Sequence, residues 1–142
     1  MINDDLKITG SLTIEKNGEV VQKVKNLVVT TGKAWVIQRM ANTSQGVMSH
    51  MELGTGTNAA AAGDSALQSA ISGSRTALST TASGTSITFT TTFAAGTGTG
   101  AVTEAGIFDA ATSGDMLART KFAVVNKGAS DSMTITWTVT IS

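Results

Sequence analysis

Nine residues near the end of the chain alternate without a break: Met133, Ile135, Trp137, Val139 and Ile141 interleave with Thr134, Thr136, Thr138 and Thr140. Successive side chains of an extended chain point to opposite sides, so this segment has one wholly apolar face and one threonine ladder. Both residue classes are strong strand formers. A strand of this kind needs a second layer to cover its apolar face, and that requirement excludes a helical fold. Two further runs repeat the pattern, Ile87, Phe89, Thr91 and Phe93, and Leu6, Ile8, Gly10, Leu12 and Ile14.

Turn signals divide the rest of the chain into short strands. Asn17-Gly18 suits the two positive φ angles of a type I′ hairpin turn, so residues 19–25 are expected to fold back on the first strand. Leu27 to Val29 extends that strand or starts another, and residues 48–53 are expected to be extended. Later strands are expected at 75–80, 86–93, 102–108, 116–124 and 133–141. Ser83-Gly84, the Gly96–Gly100 tract, Ser113-Gly114 and Lys127-Gly128 separate them. With no proline in the chain, glycine supplies the punctuation. Two helices interrupt the strands. One covers 31–41, where Ala34, Ile37, Met40 and Ala41 are helically spaced and a threonine at 30 or 31 is placed to cap the start. The other, shorter, covers 64–72, capped by Asp64 with Leu67, Ala70 and Ile71 on one face. The expectation is an all-β, antiparallel β-sandwich of jelly-roll-like or Ig-like topology with one or two short helices. Residues 1–142 form one domain, in which 1–25 make an N-terminal hairpin or an attachment arm. As an arm, residues 1–14 would add a strand to a neighbour's sheet, and their removal would leave a folded domain.

Composition narrows the function. Ten Lys plus Arg balance ten Asp plus Glu, so the chain lacks the basic surplus with which proteins collect nucleic-acid phosphates. Six of the ten basic residues fall by position 39, but Asp4, Asp5, Glu15 and Glu19 accompany them, which leaves a solvated face or a contact to an acidic protein partner. Charged residues make up 14% of the chain, and a neutral, hydroxyl-rich surface of this kind favours self-association. There is no cysteine, which excludes disulfides, thiolate metal sites and thiol nucleophiles, and a single histidine excludes two-histidine sites. No signal-peptide pattern and no stretch of about 18 apolar residues occurs, so synthesis in the cytoplasm without a membrane span is expected. Aromatic residues are 4% of the chain and include no tyrosine, which counts against a glycan-binding face.

Each residue that could carry chemistry has a simpler use. His50 has no Gly-x-Ser-x-Gly elbow to serve and is expected on the polar side of a strand or at a protein contact. Glu104, in an otherwise apolar strand, is expected to pair across strands with Arg119 or Lys121. Asp109 and Asp115 flank a loop and are too few to hold a cation without further ligands. Gly96-Thr97-Gly98-Thr99-Gly100-Ala101 fits a relaxed dinucleotide pattern, but a strand follows it, so no helix N-terminus receives a pyrophosphate. Gly32-Lys33 lacks the upstream glycine of a P-loop and reads as helix initiation. Asn42-Thr43-Ser44 matches a glycosylation triplet in a chain without a secretion signal. No catalytic, cofactor-binding or metal-binding residue is assigned, no cofactor is expected, and the chain is not expected to be an enzyme. Trp137, central on the apolar face, is expected to anchor the core.

Several segments, taken as an ordered set, resemble small virion structural proteins of tailed bacteriophages. They are Met51-Glu52-Leu53-Gly54-Thr55-Gly56-Thr57, Gly63-Asp64-Ser65-Ala66-Leu67, Phe93-Ala94-Ala95-Gly96-Thr97-Gly98, Thr103-Glu104-Ala105-Gly106-Ile107-Phe108, Met116-Leu117-Ala118-Arg119-Thr120 and Thr134-Ile135-Thr136-Trp137-Thr138-Val139. The likeness spans residues 26–142. It implies a component of the phage particle. Scarce aromatic residues, the absence of long glycine repeats or coiled-coil heptads and the small size favour a capsid decoration (cement) protein on the capsid exterior of the virion, bound to the major capsid protein and to itself as a homotrimer. The alternative it leaves open is a tail fibre or receptor-binding module recognising the host surface. It carries over no site residue.

Overall fold

A computed structural model describes residues 6–41 and 45–142. The glycosylation triplet at 42–44 and the first five residues lie outside the described residues. The chain folds into two five-stranded antiparallel sheets. In chain order the elements are β1 (Ile8–Lys16), β2 (Glu19–Lys25), β3 (Leu27–Val28), α1 (Thr30–Met40), β4 (His50–Gly54), β5 (Thr76–Ala77), β6 (Ser79–Ser83), β7 (Ser86–Phe93), β8 (Gly100–Phe108), β9 (Met116–Lys127) and β10 (Met133–Ile141). One sheet has the order β2-β1-β10-β7-β6 and the other β3-β9-β8-β4-β5. This is the all-β sandwich expected from the alternation, with one short helix among the described residues.

The alternating runs occupy neighbouring strands of the first sheet. In register, Leu12 stands beside Trp137 and Trp137 beside Phe89, and all three side chains are buried. Ile14, Ile135, Met133 and Phe93 continue the same face. Across the sandwich they meet Met51, Leu53, Val102, Ile107 and Phe122 of the second sheet, which completes the main core. The indole Nε1 of Trp137 is buried without a protein hydrogen-bond partner, so packing rather than polar contact holds this ring.

Asn17 and Gly18 both adopt positive φ, 51° and 85°, at the β1–β2 turn. Asn17 also docks onto the turn before β10. Its side-chain amide donates to Asp131 Oδ1, and its Oδ1 accepts the backbone N–H of Ser132. Residues 8–14 are therefore not a detachable arm. They form an interior strand between β2 and β10, and removing residues 1–14 would take a central strand out of the sheet.

Two local expectations are corrected. Helix α1 is capped by Val29 without a side-chain hydrogen bond, not by a threonine. The backbone N–H of Thr30 instead donates to Ala62 O, and Thr31 Oγ1 reaches Asp64 O, so a distant loop finishes the helix start. Gly32 lies where an added Cβ would come within 2.1 Å of Leu117 O, and this close approach seats α1 on β9. The second helix, 64–72, is absent. The N–H groups of Gln68 and Ser69 donate to the Glu104 carboxylate, and that of Ile71 donates to Leu53 O. Stronger tertiary acceptors thus take the donors that a helix would have used within its own backbone.

Truncating a buried tryptophan costs about 3–5 kcal/mol. Trp137→Ala should therefore lower the melting temperature by roughly 10 °C or more, whereas Thr136→Ala on the outer face should change it by a few degrees at most. Thermal unfolding of both variants checks the assignment of faces. A Trp137→Ala protein melting like wild type would contradict it.

Candidate functional site

The second sheet is covered on both sides along its strand β8. Residues Val102 to Phe108 of β8 are all buried, although only alternate side chains face the other sheet. The remainder lie beneath the segment 55–75, where Val29, Leu67, Phe108 and Met116 form a second, smaller apolar cluster. Beside that cluster stands Glu104, fully buried. Its Oε2 accepts the N–H groups of Gly56 (2.7 Å) and Ser69 (2.8 Å). Its Oε1 accepts the N–H of Gln68 and Nε of Arg119, both at 2.9 Å. A carboxylate offers about four acceptor positions, and all four are occupied.

Arg119, itself buried, spends its other donors on the same segment. Nη1 meets Asp64 Oδ2 at 3.0 Å and Nη2 donates to Asn58 O at 3.0 Å. Asp64 Oδ2 also accepts the N–H of Ala61. The pair tethers residues 56, 58, 64, 68 and 69 to β8 and β9. Space around the carboxylate is as tight as its bonding, since a Cβ on Gly56 would lie 2.3 Å from Glu104 Oε2 and one on Gly54 2.6 Å away. Segments 51–57, 63–67, 103–108 and 116–120 thus converge on one buried ion pair.

Burial alone would push the Glu104 carboxyl up. The N–H groups of Ser69 and Gln68, the Arg119 guanidinium and the N–H of Gly56 outweigh it and hold the group below its ordinary value. Glu104 pairs with Arg119, one of the two expected partners. Lys121, directly opposite in register, is exposed, and Arg119 reaches Glu104 from its position opposite Gly106.

A second arginine fastens the other end of the segment. Arg75 lies 3.7 Å from the centroid of Phe108, pairs with Glu52 at 3.2 Å and donates to the carbonyls of Ala110 and Ser113. Sequence reading did not single out Arg75, Asp64 as a ligand of Arg119, or the carbonyl of Asn58. These contacts join residues 23 to 61 positions apart, and no local pattern announces them.

The other candidates have local roles. Asp109 and Asp115 come together by closing the β8–β9 hairpin, where Asp109 Oδ1 accepts the Asp115 N–H at 2.7 Å. His50 begins β4, with Nδ1 2.8 Å from Ser49 Oγ. Gly96 and Gly98 take positive φ in the loop between β7 and β8. Among the described residues, no group of three or more His, Asp or Glu could hold a metal ion. No described helix is long and apolar enough to cross a membrane.

Two surfaces remain available to partners. The outer face of the first sheet is a hydroxyl array. Thr9, Ser11 and Thr13 of β1 stand in register with Thr140, Thr138 and Thr136 of β10, and these with Ser86, Thr88 and Thr90 of β7. Hydroxyl pairs link Ser86 to Thr140, Thr88 to Thr138 and Thr92 to Thr134 at 2.9–3.1 Å. The second surface is apolar and surrounds α1, where Leu6, Ile37, Met40 and Val47 are 61–78% exposed. Trp35 stands here, its Nε1 donating to Gly46 O. Clefts of ≈ 310 and ≈ 370 Å³ open beside it, with Ile87 and Phe89 lining both. No family model, curated protein or solved structure matches the chain.

With its pKa held low in the folded state, Glu104 contributes stability that is full above its ordinary value of 4.5 and is lost as pH falls through the depressed one. Glu104→Gln leaves Arg119 buried without its main counter-charge and should cost about 3–5 kcal/mol at neutral pH. Urea unfolding between pH 2 and 7 should show the gap between wild type and variant narrowing towards low pH. A gap independent of pH would contradict this role.

Proposed function

We propose that the chain is a structural protein of a tailed-bacteriophage virion. In this reading it is a capsid decoration protein that binds the major capsid protein on the particle exterior and associates with itself as a homotrimer. One observation carries the proposal: the most elaborate polar constellation in the molecule is fully used in holding a loop, while the surface offers material to be covered. Leu6, Ile37, Met40 and Val47 expose apolar area around α1, and the adjoining sheet carries a hydroxyl face across β1, β10 and β7, bordered by Lys23 and Lys25 of β2. Exposed apolar clusters rimmed by polar residues mark interaction surfaces. Binding through such surfaces is a mechanical role, in which buried area between copies and capsid adds to the strength of the shell. The sequence resemblance supplies the particle, and the neutral charge balance agrees with a partner that is protein rather than nucleic acid.

The alternative, a tail fibre or receptor-binding module, needs a surface that recognises host glycans or proteins. Scarcity of aromatic residues for sugar stacking weighs against it.

Purified protein mixed with phage heads lacking it should co-sediment with them to a saturating stoichiometry and raise their melting temperature. Binding to intact host cells without binding to heads would overturn the decoration reading in favour of the alternative.

A further inference from the structure

The first sheet has two edges, and they are built differently. Edge strand β2 carries Glu19, Lys23 and Lys25, and its pairing with β1 is interrupted by a register shift between Ile14 and Glu15. Charges and bulges of this kind keep an edge from pairing with another chain. Edge strand β6 has neither. Its five residues, Ser79-Thr80-Thr81-Ala82-Ser83, are all exposed, uncharged and free of proline, and they pair with β7 in unbroken register. On the other side no strand among the described residues adjoins β6.

We infer that the free edge of β6 pairs antiparallel with β6 of a second copy about a two-fold axis, joining two sheets into one of ten strands. Self-complementarity selects this occupant. Centred on Thr81, the strand reads nearly the same in both directions, so Ser79 meets Ser83, Thr80 meets Ala82, and Thr81 meets its own symmetry mate. Every opposing pair is small, and none places like charges together. Hydroxyls both donate and accept, so identical residues can face one another, as an isologous contact requires. The outward residues Ser79, Thr81 and Ser83 stand in register with Thr90, Thr88 and Ser86, and the hydroxyl array therefore runs on without interruption into the second copy. On the inner side, Ala82 and Thr80 each line one of the two apolar clefts beside Trp35, and the second copy narrows the mouths of both.

A five-residue edge spans about 17 Å, well short of a standard interface, so the pairing is weak in free solution and strengthened when copies are held side by side. The inference requires a second copy and does not depend on capsid binding. If the decoration reading holds, each trimer presents three such edges, and their pairing links trimers into a net over the shell.

The test uses the full chain without capsids. Sedimentation is measured across a wide concentration range for wild type, Thr81→Lys, Ser79→Lys and Thr92→Lys, together with amide hydrogen exchange of residues 79–83. Wild type and Thr92→Lys, whose new charge lies on an interior strand, should gain mass with concentration while the edge-facing amides of 79–83 become protected. Thr81→Lys places two lysines opposite each other at the axis, and it should weaken this step at least about tenfold at unchanged melting temperature. Ser79→Lys should act in the same direction. Exchange of 79–83 that is independent of concentration would overturn the inference, as would association unaffected by either edge lysine. Failure to bind heads would overturn the decoration reading and leave these outcomes unchanged.

Discussion

A carboxylate with no exposure to water cannot remain charged unless its surroundings replace the water completely, and around Glu104 they do so with four donors. Three of those donors are backbone N–H groups of the segment 55–75, which has one isolated bridge, from Ala70 to Gly54, and no strand or helix of its own. The fourth is Arg119, whose remaining nitrogens fasten Asp64 and Asn58 of the same segment. Loop and ion pair are thus mutually dependent. Without the segment Glu104 and Arg119 would be stranded charges, and without the pair the segment would lose its shared anchor. The dependence reaches α1, because the loop carbonyls of Ala62 and Asp64 receive the first donors of that helix. The seat of the helix on β9, through Gly32, completes the circuit.

This arrangement divides the molecule into two regimes. Between the sheets, apolar side chains pack around Trp137, and the Trp137 Nε1 and Thr91 Oγ1 atoms buried there have no hydrogen-bond partner. Outside the second sheet, a thin polar layer specifies where one long connection lies, and buried pairs contribute geometry more surely than net energy. The first sheet's outer face has no such cover and needs none, since threonines and serines there satisfy one another across strands. What the first sheet presents outward is consequently extended and hydroxyl-rich across β1, β10 and β7, while Leu6, Ile37, Met40 and Val47 expose apolar area around α1.

The legible part of the fold was the part governed by nearest neighbours in sequence. Alternation at 87–93 and 133–141 placed β7 and β10 and their buried faces, and Asn17-Gly18 placed the first turn. Misreadings arose where distant groups decide. Residues 64–72 have helical spacing, but Glu104, more than thirty residues later, captures their N–H groups. A threonine at 30 or 31 is a good cap in isolation, yet the helix begins at Thr30 with Val29 in the cap position, and a loop carbonyl accepts the Thr30 N–H. Leu6 to Ile14 read equally as an arm or a strand, and only the position of β1 between β2 and β10 decides the matter. Glu104 was legible as half of a cross-strand pair. Its hold on the 55–75 segment was not, because nothing in the spacing marks backbone groups as ligands.

Amide hydrogen exchange at Gly56, Gln68 and Ser69 measures the central dependence directly, since these are the N–H groups held by Glu104. In the wild-type protein they should exchange slowly, although they belong to a connection rather than a regular element. In Glu104→Gln, studied under conditions where the amides of Ile135 and Trp137 remain protected, all three should become fast together. Continued protection of Gly56, Gln68 and Ser69 in that variant would show that the segment is held by its apolar contacts alone, and would contradict the account.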